Sequence, residues 1–307
     1  MKFFQYILIT LLLMFILTAC EEDITLELPQ GEESLVVEGY IEQGMPPIVL
    51  LTRTLPYFSA SSIDILNSIF VSGADVRIFD GKDTISLIEI NLSNLPDSIA
   101  NLLLEAFQLS GEDLSGINIS LYTSLQLFGE TGKTYTLFVK KDEHKLEAKT
   151  TIPPSVKIDS VWFEPHPSPQ EDSLYMVKYA FVDPVNQTNF YRLFNARNGG
   201  AFYPNGFFSV SDDKLVNGQR IELNIVRGQA PGEPFDRSYG FYQWGDSVVI
   251  KLCNMDRAHY DFWNTFETAR FSGGPFATPI NIQSNVIGGL GVWGGYGAYY
   301  YAVKIGE

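Results

Sequence analysis

Alternation of apolar and polar residues with period two constrains this chain more than any other feature. It is clearest in TYTLFVKKDEHKLEAKTTI (134–152), where Tyr135, Leu137 and Val139 share one face of a strand. After a turn at Asp142-Glu143-His144, the residues Leu146, Ala148, Thr150 and Ile152 share one face of the return, and lysines and Glu147 take the other. Side chains on a strand point alternately to its two sides, so the pattern predicts an antiparallel hairpin with one buried and one wet face. LVVEGYIE (35–42) reads the same way, with Leu35, Val37 and Ile41 on one side and Glu38 and Glu42 on the other.

Strand-like runs recur along the rest of the chain. They include PIVLLTRTLPYF (47–58), ADVRIFDGKDTISLIEI (74–90) with a hairpin turn at Asp80-Gly81, VKIDSVWFE (156–164), SLYMVKYAFVD (173–183), NFYRLFNAR (189–197), FFSVSD (207–212), QRIELNIVRG (219–228) and DSVVIKLCNM (246–255). Two segments have helical spacing instead. In 94–111, Ile99, Leu102, Leu103, Ala106 and Leu109 recur on one side, with Pro96 suited to a first turn and Gly111 to a stop. In 256–271, Ala258, Phe262, Phe266 and Ala269 line up behind Asp256 as N-cap. Many short strands and one or two short helices predict a mainly β fold with two β-sandwich-like domains. Pro153-Pro154 marks the expected boundary, giving domains over 35–152 and 155–307.

The amino terminus sets the expected compartment. Lys2 precedes an apolar run from Phe3 to Ala19, which is short for a bilayer-spanning helix and has the layout of an export signal over 1–19. Its end, Leu17-Thr18-Ala19-Cys20, resembles the lipobox of bacterial lipoproteins, which implies covalent lipid on the Cys20 thiol and no other cofactor. Glu21, Glu22 and Asp23 resemble the signal that sends lipoproteins of the Bacteroidota to the outer face of the outer membrane; the alternatives are the periplasmic face or a plain solvated start to an acidic tether over 20–34.

The chain has 36 acidic against 21 basic side chains, a net charge of −15. Such a chain repels nucleic acid, and no basic stripe offsets it, so nucleic acid is excluded as a partner. With Cys20 lipidated, Cys253 has no partner for an internal disulfide, and within an apolar strand it reads as a buried, inert thiol.

No catalytic motif stands out in the sequence, although a glycosidase-type carboxylate pair drawn from distant strands would leave no local signature. There is no P-loop, no GxSxG and no GxGxxG after a strand. His144 and His166 read as exposed loop residues, and His259 with Asp256 and Asp261 lacks the spacing of a metal helix. The expectation is therefore not an enzyme, and no metal. Candidate ligand or partner contacts are aromatic residues in loop-like stretches: Tyr57 and Phe58 in PYFSASSI, Tyr203 in NGGAFYPNGFF, and Trp293 and Tyr296 in GGLGVWGGYGAYYY. The competing reading of the last stretch is a closing strand whose glycines admit close packing.

Several of these runs together resemble a known family. LVVEGYI (35–41), LTRTLPYF (51–58), GKTYTLFV (132–139), AKTTIPP (148–154), IDSV (158–161) and SNVIGG (284–289) are similar, in order, to Bacteroidota lipoproteins filed as domain of unknown function 4249. The resemblance implies an immunoglobulin-like or carboxypeptidase-regulatory-like N-terminal domain followed by a second β-rich domain. It also implies work beside a TonB-dependent receptor of the outer membrane, and carries over no binding residues. The expected function is a lipid-anchored accessory or binding lipoprotein of unidentified ligand. A structural, assembly or adhesion component of the envelope is the alternative, and a hydrolase of an exported polymer a further one.

The lipobox reading predicts that Cys20→Ser abolishes incorporation of labelled fatty acid and leaves an unprocessed or soluble product; label that still enters the variant contradicts it.

Overall fold

A computed structural model of the chain describes residues 33–55, 63–107, 117–168, 171, 173–185, 187–229, 233, 235–272, 278 and 280–306. The alternating runs become strands, and the fold is mainly β, with several antiparallel sheets in sandwich-like layers. The hairpin pairs Thr134–Lys141 with His144–Thr151, and its Tyr135, Leu137, Val139, Leu146 and Ala148 are all buried. Asp142 at the turn takes a positive φ of 51°.

The largest sheet has nine strands. Its path runs Tyr203–Pro204, Phe190–Arg197, Ser247–Met255, Leu290–Lys304, Leu35–Glu42, Ile48–Arg53, Ser120–Thr123 and Ile88–Asn91, with Val210–Asp212 added beside Phe190–Arg197. A five-stranded sheet built on the hairpin packs on one stretch of it. Between them lies a core of Leu35, Val37, Ile41, Val49 and Leu51 against Val76, Ile78, Tyr135, Leu137 and Leu146. A four-stranded sheet around Leu174–Val182 packs on another stretch, and Ile158, Val177, Tyr179 and Phe181 meet Tyr191, Leu193, Val248, Ile250 and Leu252 in a second core.

Pro153-Pro154 lies between the sequences that supply most of these two cores, yet backbone hydrogen bonding runs across it. The first strand, Leu35–Glu42, pairs in parallel with Leu290–Tyr296 of the closing strand. The rest of that strand, Gly297–Lys304, pairs antiparallel with Ser247–Asn254. Residues 33–307 accordingly form one compact unit.

Glu38 and Glu42, which alternation alone assigns to a wet face, are not on the outside of the molecule. Glu42 is buried, and the face that carries both is roofed by two helices. The roof over one part is Asp97–Ala106, which follows Pro96 and packs on Leu50 and Leu121 through Leu103 and Leu104, with Phe107 buried beside them. Ile99, expected on the buried stripe, points outward, and the side chains of Leu102 and Ala106, with Leu109 and Gly111, lie outside the described residues. A third helix, Ile63–Ile69, is not announced by the sequence pattern.

The other part of the roof is Arg257–Phe271. Asp256 caps it as expected: one carboxylate oxygen accepts the His259 N–H at 2.9 Å, and the other accepts the Thr151 N–H at 3.0 Å and the Thr150 hydroxyl. Thr150 in turn accepts the Gly295 N–H at 2.7 Å, so one carboxylate ties the helix to both halves of the chain. The buried side of this helix is His259, Phe262 and Glu267, while Ala258 is exposed. The stripe is rotated from the purely apolar one because the surface beneath it is polar.

Gly294 is what lets the helix sit so close. A Cβ there would lie 2.0–2.2 Å from three atoms of the His259 ring. Gly294→Ala is expected to destabilise the fold by about 1–3 kcal/mol, the usual cost of overpacking a tight interior. An unchanged urea midpoint in this variant contradicts the packing described.

Candidate functional site

Between the nine-stranded sheet and its helical roof lies a cavity of about 380 Å³, within the size range of small-molecule sites. Period-two geometry decides what lines it. On the first strand Glu38, Tyr40 and Glu42 face it; on neighbouring strands Arg192 and Phe194, Lys251, and Tyr296 and Tyr300 do so. The roof contributes Leu103, His259 and Trp263, and Phe202 and Ala201 close one side. Charged side chains therefore stand among aromatic rings.

Most of the charges are matched. Lys251 forms an ion pair with Glu42, which also accepts the Tyr300 hydroxyl. Burial works against the Lys251 charge, but its surroundings, Glu42 among them, hold its affinity for the proton well above the ordinary lysine range. The ammonium also lies 5.5–5.8 Å from the ring centres of Phe194, Phe202, Tyr296 and Tyr300, a spacing at which the ring faces attract a cation. Arg192 donates to Tyr296 Oη at 2.9 Å and Ser209 Oγ at 3.1 Å, and stands 3.9 Å from a Glu267 oxygen. Its guanidinium carbon lies 3.4 Å from the centre of the Trp263 ring.

Glu38 is different. Its carboxyl makes no hydrogen bond or ion pair with any described residue, while Glu42, four positions along on the same face, has both. Burial pushes its carboxyl up to about 7, against the opposing pull of Arg192. His259 is held down to about 4 by burial, opposed by Asp256, so its ring is neutral at pH 7; its Nδ1 is buried without a hydrogen-bond partner. Cys253 beneath the site is raised to about 12 by burial, a buried thiol and no nucleophile.

The residues singled out from sequence are dispersed. Tyr296 lines the cavity, with its hydroxyl raised to about 12 by burial against the pull of Arg192. Trp293, three residues earlier, points the other way: it is fully buried in the first core and donates its indole N–H to the Tyr135 carbonyl at 3.2 Å. The stretch that holds both is a strand and not a loop, and its glycines sit where side chains would collide with Val37, His259, Thr151 and Pro153. Tyr203 is half-buried in a short edge strand beside Gly228, away from the cavity lining. Tyr57 and Phe58, and the expected lipid site Cys20 with Glu21, Glu22 and Asp23, lie outside the described residues.

His144 and His166 are half-buried and not the exposed residues expected; the His166 ring centre is 4.2 Å from that of Phe241. Among the described residues, no group of three or more His, Cys, Asp or Glu side chains is placed to hold a metal ion.

Sequence reasoning passed over Glu38, Glu42, Arg192, Lys251 and Trp263. A signal was present at two of them: Arg192 and Lys251 stand in mid-strand, within apolar and aromatic runs where a charge has no reason to lie unless something polar faces it.

The raised Glu38 value has a measurable consequence. Between the free carboxyl value of 4.5 and about 7, the folded chain keeps a proton that the unfolded chain has lost. Stability therefore falls as pH rises through that window, by about 3 kcal/mol in all from this group. His259 acts in the opposite sense, since its lowered value makes the unfolded chain the better proton binder between about 4 and 6.5. Glu38→Gln removes only the first effect. Its stability relative to wild type is expected to improve by about 2–3 kcal/mol from pH 4 to pH 8, measured by urea unfolding; parallel pH profiles for the two proteins contradict it.

No curated protein matches the chain. A family model described as Domain of unknown function (DUF4249) matches residues 21–300. That match covers nearly all of the sequence, and the chain belongs to this family.

Proposed function

We propose that this protein is a lipid-anchored accessory lipoprotein of the bacterial outer membrane that holds a small ligand in the Glu38 cavity, with a TonB-dependent receptor as its working partner. The observation that carries the binding part is Glu38: a carboxyl without a partner, placed in a cavity otherwise lined by aromatic rings and matched charges. Glu38 is half-buried, and a carboxyl drawn out of bulk water without a partner costs stability; such costs are retained where function uses them. The complementary ligand has a compact apolar or aromatic body and one hydrogen-bond donor or ammonium group for Glu38. No covalent step is required of the cavity, and the reading is a binding protein and not an enzyme.

The location rests on the amino-terminal sequence. Leu17-Thr18-Ala19-Cys20 supplies the lipid anchor, and Glu21-Glu22-Asp23 favours the outward face. The receptor partnership rests on the resemblance to Bacteroidota lipoproteins, and the immunoglobulin-like or carboxypeptidase-regulatory-like assignment of the first sandwich has the same basis.

Isolation of the lipidated protein from outer membranes of its own host, followed by native mass spectrometry, tests the reading. A discrete small-molecule adduct is expected on wild type. Ala201→Phe, which puts a ring into the cavity from a buried position, is expected to lose it. An adduct retained by Ala201→Phe, or none on wild type, counts against the cavity; absence of a receptor barrel from the gently solubilised complex counts against the partnership.

A further inference from the structure

A second cavity, of about 230 Å³, opens on the far side of the Arg192–Trp263 stack. Those two residues and no others line both spaces, so the stack is the partition between them. The outer space differs in character. Arg227 and Arg270 enter its wall, and Phe207, Phe235, Tyr239 and Phe271 form its mouth.

Three observations converge there. First, Arg227 is 7% exposed and Trp263 partly buried, yet Arg227 Nε and Trp263 Nε1 are both buried donors with no acceptor. Arg227 Nη1 is engaged by Glu233 at 2.8 Å, which leaves Nε as the unused edge of the guanidinium. A buried N–H without an acceptor is costly and is normally satisfied by something. Second, Arg192, Arg227 and Arg270 all stand in its wall, where Glu267 is the one carboxylate among the lining residues. Third, the rings at the mouth are arranged as a platform and remain open to solvent. Phe235 and Tyr239 are stacked with centres 3.8 Å apart, Phe207 lies 5.9 Å from Phe235, and Phe271 meets Phe207 edge-on at 4.9 Å. Phe235 is nonetheless 68% exposed.

The geometry points to a binding site for a small aromatic monoanion. Its acidic oxygens accept from Arg227 Nε and Trp263 Nε1 within a wall that holds three arginines, and its ring lies on the Phe207–Phe235–Tyr239 platform. The two donors call for acceptors, which excludes an amine in this position; the platform calls for a flat body, which disfavours a bare inorganic ion. The site stands on different residues from those that carry the Glu38 reading, and either can fail without the other.

The test uses the lipidated full chain in nanodiscs of zwitterionic lipid, titrated calorimetrically against empty nanodiscs. The probes are 2-naphthoate and its neutral counterpart 2-naphthylmethanol. Saturable binding of the acid with one site per chain is expected, at least about tenfold tighter than the alcohol, the scale of a charge-assisted contact. Arg227→Lys keeps the positive charge but deletes Nε, and is expected to weaken 2-naphthoate at least about tenfold. Phe235→Ala alters only an exposed ring, so the fold survives it, and it is expected to weaken both probes. Failure of the acid to bind, equal affinity for acid and alcohol, or either variant binding the acid as wild type does overturns the proposal.

Discussion

The closing strand hydrogen-bonds to two neighbours in succession, and the architecture of both cavities depends on that arrangement. Its first half runs parallel to Leu35–Glu42, its second half antiparallel to Ser247–Met255. This places a strand from the start of the described chain next to strands from its end, within one sheet. Only then do Glu38 and Glu42 come to face Lys251 and Arg192. The approach requires small residues. Gly295 faces the Thr151 carbonyl and Gly297 the Pro153 carbonyl at distances that leave no room for a Cβ, and Gly294 lies under the His259 ring. The glycine-rich stretch thus serves the packing of the sheet, and through it the placement of the site.

The sheet is covered on both faces, and this sets the electrostatics. One face forms two apolar cores; the other carries charged residues but is closed off from bulk water by helices. In such surroundings a charge needs a partner, because removal from water costs several kcal/mol per ion in practice. Glu42 with Lys251 and Arg192 with Glu267, Ser209 and Tyr296 meet that requirement. Glu38 does not, and the structure accommodates it by favouring the protonated form near neutral pH. A carboxyl poised there serves as donor or acceptor with little cost of switching, which suits a group that meets a ligand.

How much of this was legible in the sequence follows from which forces are local. The 134–151 hairpin was readable residue by residue, because one wet face leaves a full period-two pattern and the turn has its own chemistry. The helix at 257–271 and its Asp256 cap were readable for the same reason, though its buried side was not, since His259 and Glu267 turn inward toward polar partners. The covering of Glu38 and Glu42 leaves no local trace, because alternation reports that two faces differ and is silent on what covers the second one. The parallel pairing of 36–42 with 290–296 leaves no local trace at all. The stretch that holds Trp293 and Tyr296 reads from sequence either as a ligand loop or as a closing strand with glycines for close packing; it is the strand, where three positions apart means opposite faces, so one is core and the other cavity wall.

The binding chemistry of the cavity depends on Glu38 being a carboxyl without a partner in its lining. Carbon-13 NMR of the protein labelled at the glutamate side-chain carboxyls measures this directly, with Glu38→Gln identifying the resonance. The account predicts a titration midpoint for Glu38 near 7 in the ligand-free protein. A midpoint near the free-carboxyl value of 4.5 would contradict it.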